Sequence, residues 1–219
     1  MSIKDNLLRI RETLPADVEL LAVSKFHPAE AILQAYEAGQ RRFGESRPQE
    51  LKEKYAALPK DIEWVMIGHL QTNKIKYIAP FISLIESLDS ERLAEAINEQ
   101  ALKCGRTIDC LVELHLTSEQ TKSGWAWEEL KAFVQSGGFQ RLKNIRVRGV
   151  MGMATFTEDE AIIRADFERL RAYKAELAEY FDESFDTLSM GMSDDYPIAL
   201  EYGTTEVRIG STIFGQREY

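Results

Sequence analysis

Cysteine is nearly missing from this chain, with two among 219 residues. Cys104 and Cys110 stand at a spacing that suits neither a CxxC redox pair nor a zinc knuckle. A disulfide scaffold is thereby excluded, and the expectation is a reducing cytoplasm in which both thiols are small packing residues. Positive charge is also in short supply: 27 Lys and Arg against 36 Asp and Glu leave a net charge of −9. Sequence-independent binding to nucleic acid or to an anionic membrane needs clustered cations, so neither is expected as a partner. Long hydrophobic runs are absent, since no span approaches the roughly 20 apolar residues that cross a bilayer. The first residues, "MSIKDNLLRIRETL", alternate charge with apolar groups and offer no signal-peptide core. There is no Pro/Gly/Ser-rich linker, low-complexity segment or long repeat, so one domain spanning residues 1–219 is expected.

What the sequence does have is alternation. Ile3 to Leu14 carries Leu7, Leu8 and Ile10 at helical spacing. Short apolar or β-branched runs then recur at "VELLAVSK", "RRFGES", "EWVMIG", "ISLIES", "DCLVELHL", "IRVRGVMGM", "DTLSMG" and "EVRIGSTIF". Between them lie helical segments, "PAEAILQAYEAG", "SERLAEAINEQALKCG", "AWEELKAFVQSGG" and "TEDEAIIRADFERLRAYKAELAEYF". Nearly continuous apolar strands belong to a parallel sheet covered on both faces. An open doubly wound sheet satisfies that pattern too, but eight βα units in one compact chain favour an α/β fold closed as a (β/α)8 TIM barrel.

In such barrels chemistry collects at the C-terminal ends of the strands, and phosphate commonly rests on the loops after strands seven and eight. The first strand runs out at Lys25. The last two run into "SMGMSDDYPIALEYG" and "VRIGST", where Ser193, Gly210 and Ser211 offer hydroxyls and backbone N–H groups to an anion. Strand alternation puts Arg208 on the same face as Gly210. If that face is the lumen, a cation and an anion cradle lie opposite a lysine whose amine, when desolvated or near another cation, is freed to attack a carbonyl. Pyridoxal 5′-phosphate answers that description, with an aldehyde for Lys25, a phosphate for Ser193, Gly210 and Ser211, and a ring nitrogen for Arg208.

Other residues carry plainer readings. His27, His69 and His115 fall near strands but lack an HxH pair or bridging carboxylate, so no metal site is expected. Met151, Met153, Met190 and Met192 read as core filling, Asp194-Asp195 as favouring a helix N-terminus, and Trp125 and Trp127 as packing on the barrel rim.

The stretches "LLAVSKFHP", "RFGESRPQE", "IGHLQTNK", "SLDSERLAEAIN", "LSMGMSDDYPIAL" and "VRIGSTIFG" occur in order, and together they resemble the YggS/PROSC family of pyridoxal phosphate homeostasis proteins. The resemblance runs from about Glu19 to Arg217. It implies a barrel similar to the N-terminal domain of alanine racemase, fold type III among pyridoxal phosphate proteins. It further implies that Lys25 forms the Schiff base, that Ser193, Gly210 and Ser211 hold the phosphate, and that Arg208 faces the ring nitrogen. The chain departs from the family in having Ser46 where Asn is common and Ser211 where Thr is common. Ser211 keeps the hydroxyl, whereas Ser46 shortens a side chain whose contact is thereby changed. The resemblance implies a protein that buffers, stores or delivers the cofactor without established turnover, so no catalytic residue is named; the expectation from Lys25 opposite Ser193, Arg208 and Gly210 is a monomeric carrier that exchanges the cofactor with apo-enzymes. The racemases add a second domain that contributes an opposing acid/base, and this chain stops at Tyr219, so two-base chemistry is not expected. A racemase or related amino-acid enzyme is the alternative, and a Schiff-base aldolase acting on a sugar phosphate is a third.

Overall fold

The computed structural model describes residues 2–116 and 123–215. Helix α1 (Ile3–Thr13) opens on a reciprocal cap: the Ser2 hydroxyl accepts from Asp5 N–H while the Asp5 carboxylate accepts from Ser2 N–H. Leu7 and Ile10 are buried, whereas Leu8 faces outward at 43% exposure, so the inward stripe is narrower than its spacing predicts.

The strands follow as β1 (Glu19–Val23), β2 (Arg42–Glu45), β3 (Glu63–Met66), β4 (Leu84–Leu88), β5 (Ile108–Leu114), β6 (Ile145–Gly152), β7 (Thr187–Ser189) and β8 (Glu206–Ile209). They pair in parallel and in chain order, and β1 meets β8 in the register Leu21↔Arg208 to close the barrel. Six of the eight runs anticipated from the sequence contain a whole strand, "ISLIES" and "DCLVELHL" each miss one end residue of β4 and β5 (Leu88 and Ile108), and the open-sheet alternative falls on the β1–β8 ladder.

Period-two alternation sorts each strand into two environments. Leu21, Val65, Leu84, Leu111 and Met151 form an apolar cluster inside the barrel, joined by Ile67 and Met153. Their neighbours Ala22, Trp64, Ile85, Val112, Val150 and Ile209 belong to the outer core. That core packs beneath α2 (Ala29–Glu37), α3 (Pro48–Ala57), α4 (Glu91–Lys103), α5 (Trp127–Gln135), α6 (Gly138–Arg141), α7 (Glu160–Leu177), α8 (Tyr196–Glu201) and α9 (Ser211–Phe214). Each large apolar side chain taken fully from water in either layer contributes about 1.5–3 kcal/mol. The methionines divide: Met151 and Met153 serve the lumen, Met190 is buried in the outer core and Met192 is 37% exposed. Trp125 is buried and stacks on Phe133, and Trp127 begins α5 and stacks on Tyr173 at 3.9 Å.

Helix α3 has no counterpart among the anticipated helical segments. Its buried side includes Leu51 and a lysine, Lys54, where an apolar residue would complete the stripe. The charge hides the helix from a reading of hydrophobic period.

Candidate functional site at the barrel mouth

The C-terminal ends of β7, β8 and β1 lie side by side. Ser189 on β7 pairs with Glu206 on β8, and β8 pairs with β1 through Ala22↔Ile209. Beyond β8, Gly210 comes so close to the end of β1 that a Cβ there would stand 3.1 Å from Val23 O and 3.3 Å from Val23 Cβ. Ser211 follows as the first residue of α9 and donates its hydroxyl to Ser193 Oγ at 3.1 Å. The loop carrying Ser193 is held by Asp195, whose carboxylate accepts from Met192 N–H at 2.6 Å. Burial pushes the Asp195 carboxyl up and that hydrogen bond pulls it down, with burial prevailing. Ser193 precedes α8 by a turn, and Asp195 stands at the N-cap of α8, as the acidic pair suggests, although its carboxylate clasps the loop and makes no side-chain cap bond.

Arg208 is buried, and its direction follows from β8: Val207 and Ile209 belong to the outer core, so Glu206 and Arg208 point inward. Its guanidinium donates to Ser189 Oγ at 2.6 Å and to the carbonyl of Gly152 at 2.8 Å, spanning β8 to β6. Ser189 in turn donates to Glu86 Oε2 at 2.8 Å, and that oxygen lies 3.7 Å from Arg208 Nη1. Glu206 is held from the other side by Arg42 at 2.5 Å. Glu86 Oε1 and Glu206 Oε1 are buried oxygens with no donor among the described residues. Burial, with the Glu206 carboxylate beside it, holds the Glu86 carboxyl well above its ordinary range. Sequence reasoning missed Glu86; the signal was a carboxylate inside the otherwise apolar run "SLIESL".

Lys25 is half-buried in the turn directly after β1. Ser24 directs its hydroxyl to Glu45 Oε1 at 2.5 Å, while Leu21 lies in the lumen, so alternation turns Val23, the last residue of β1, inward just before Lys25. The turn is strained: Phe26 has φ +69°, the one positive φ outside glycine among the described residues. Beneath it sits Lys54, whose ammonium reaches Ser24 O at 2.9 Å, Glu45 Oε1 at 2.7 Å and Glu50 Oε1 at 2.7 Å. Burial outweighs this pairing and lifts the Glu45 carboxyl to about 7.

Other polar groups line the rim. His69 Nδ1 stands 3.2 Å from Asp89 Oδ2, and Ser123 donates to Glu113 Oε1 at 2.7 Å, with burial raising the Glu113 carboxyl. Glu113 was not among the anticipated site residues. Ser46 backs onto Gly68, where a Cβ would come within 2.5 Å of the Ser46 carbonyl.

The donor set fits a phosphorylated aldehyde with a ring acceptor. Two hydroxyls meet beside the first N–H groups of α9, which have no intrahelical acceptor by helix geometry. Arg208 uses two of its five N–H groups on Ser189 and Gly152, leaving others for a ligand atom.

A family model described as alanine racemase, N-terminal domain, matches residues 1–218. The chain is 40% identical over 202 residues to the pyridoxal phosphate homeostasis protein of Aquifex aeolicus, covering 92% of this chain and 88% of that one. It is 39% identical over 218 residues to the protein of that name from Pseudomonas aeruginosa, covering 96% and 92%. Among solved structures, PipY of Synechococcus elongatus, with pyridoxal phosphate bound, superposes with a TM-score of 0.90 at 37% identity, covering 98% of this chain and all of that one. Alanine racemase from Bartonella henselae, at 15% identity and a TM-score of 0.71, matches 98% of this chain and 59% of its own, a likeness of fold. By its barrel, its near full-length relatives and the family model, this chain belongs to the pyridoxal phosphate homeostasis proteins of the alanine racemase N-terminal domain family.

Proposed function

We propose that the chain binds pyridoxal 5′-phosphate at this mouth and serves in its intracellular homeostasis, as a carrier or buffer. The observation that carries the reading is the meeting of Ser193 and Ser211 at 3.1 Å beside Gly210, on the strand that also turns Arg208 inward. Ser193 and Ser211 donate to the phosphate, and Gly210 leaves room for it. Arg208 stays protonated and can only donate, so it keeps the ring nitrogen free of a proton and weakens the ring as an electron sink. Lys25 provides the primary amine; the cofactor supplies an aldehyde, which condenses with an amine with loss of water. The binding of pyridoxal phosphate by PipY supports the same assignment. The carrier is taken to be a single-domain cytoplasmic monomer that passes its cargo to apo-enzymes; no helix among the described residues is long and apolar enough to cross a membrane.

The test is chemical. Protein incubated with pyridoxal phosphate, reduced with borohydride and digested is expected to carry the label on Lys25, and Lys25→Ala protein is expected to stay colourless. Label spread over surface lysines, with none on Lys25, rules the reading out.

An amino-acid enzyme is the second reading, favoured by the His69–Asp89 pair on the same mouth, which has the form of an oriented acid/base. Loaded protein incubated in deuterated water with a panel of amino acids separates the two: a carrier leaves the α-hydrogens in place, and a racemase exchanges them.

A further inference from the structure

We infer that Lys54, acting with Glu50, is the positioning residue for Lys25, a role that rests on the functional reading above. The two peptide groups that flank Lys25 are both tied to this pair. On one side the Ser24 carbonyl accepts from Lys54 Nζ at 2.9 Å; on the other the Phe26 N–H donates to Glu50 Oε1 at 2.8 Å, and Glu50 Oε1 itself accepts from Lys54 at 2.7 Å. Glu45 takes the third ammonium proton at 2.7 Å and also receives the Ser24 hydroxyl, so the lysine's three donors are all used. With both neighbouring peptide planes held, the direction in which the Lys25 side chain leaves the backbone is fixed.

The cost of the arrangement argues for this purpose. Lys54 has a side chain only 7% exposed, at a helix position where an apolar residue would pack without desolvating an ion. An apolar residue could not reach the Ser24 carbonyl or gather Glu50 under the Phe26 amide. Phe26 meanwhile keeps φ +69°, a conformation that favours glycine, and so needs an external tether. Arg47 adds to that tether by lying over the Phe26 ring, 4.7 Å from its centroid. Supporting shells that lock the rotamer and backbone of a reactive group are how a site keeps its geometry without strain at the reacting atom.

The experiment follows the rate at which borohydride traps pyridoxal phosphate on Lys25, read by peptide mass spectrometry, beside amide hydrogen exchange at Phe26 in protein free of cofactor. Glu50→Ala removes the acceptor for the Phe26 N–H; trapping is expected to slow about tenfold and Phe26 exchange to quicken, as loss of one hydrogen bond to a charged group predicts. Glu50→Gln keeps an acceptor oxygen and is expected to retain most of the wild-type rate. Glycine adopts the left-handed conformation freely, so adding Phe26→Gly to Glu50→Ala is expected to recover trapping, an outcome that a general loss of stability would not give. Lys54→Met tests the same point from the other side in protein shown by circular dichroism to be folded. Wild-type trapping in Glu50→Ala, or no recovery with Phe26→Gly, overturns the positioning role while the functional reading stands. Absence of trapping at Lys25 in the unaltered chain overturns both.

Discussion

Ser211 donates its hydroxyl to Ser193 across 3.1 Å, joining the loop after β7 to the start of α9. Neither side chain is fully buried, so each can turn its remaining capacity toward an anion at small cost to the fold. Ser193→Ala and Ser211→Ala are each expected to weaken pyridoxal phosphate binding by about tenfold, the worth of one charge-assisted hydrogen bond, with stability changed by less than about 0.5 kcal/mol. Equilibrium dialysis against the cofactor, with pyridoxal lacking the phosphate as control, checks this. The control is expected to bind the two variants and the wild type alike.

Gly210 backs against the chain of β1 with no slack. An alanine there would put its Cβ 3.1 Å from a backbone oxygen, Val23 O, and a strand in a closed barrel yields less readily than a side chain. Gly210→Ala is expected to destabilise by about 1–3 kcal/mol and to weaken cofactor binding as the rim opens. Urea unfolding and the dialysis assay together test both parts.

Arg208 and Glu86 make a contrasting pair. Arg208→Met strands Ser189, the Gly152 carbonyl and a carboxyl pair in the lumen, and a loss of about 3–5 kcal/mol is expected. Burial and the neighbouring Glu206 carboxylate raise the Glu86 carboxyl well above its ordinary range, so Glu86→Gln is expected to exchange one neutral donor for another. A cost under about 1 kcal/mol is expected from chemical denaturation. A Glu86→Gln loss as large as that of Arg208→Met would show the carboxyl to be ionised.

Glu45 gives the fold a pH dependence of definite sign. Its carboxyl rises from 4.5 to about 7 in the folded chain, chiefly through burial. A group that holds its proton more tightly when folded contributes fully below pH 4.5 and loses that contribution as pH climbs to about 7. The loss is on the order of 3 kcal/mol. Thermal or urea unfolding across that window is expected to show stability falling with rising pH, with a shallower fall in Glu45→Gln. An unchanged slope in the variant would assign the dependence elsewhere.

Much of the fold was legible because strand and helix periods are local. The runs from "VELLAVSK" to "EVRIGSTIF" each cover a barrel strand to within one residue, since continuous apolar runs bounded by caps follow from burial on both faces. Helix α3 was not legible, because Lys54 interrupts its apolar stripe for a reason 30 residues away at the Ser24 carbonyl. Glu86 and Glu206, 120 residues apart, could not be paired from composition, and their shared environment exists only where β4 and β8 face one another across the lumen.

The sequence by itself determined the eight strand-and-helix units, that Arg208 and Gly210 share a face, and that a lysine follows closely on the first strand, because each follows from the alternation of side chains along a short stretch of chain. Tertiary structure alone decided that Ser193 meets Ser211, that Arg208 is bound to Ser189 and Gly152, and that Lys54 holds the turn around Lys25. Those contacts join residues distant in the chain, and closing the β1–β8 seam is what sets their separations.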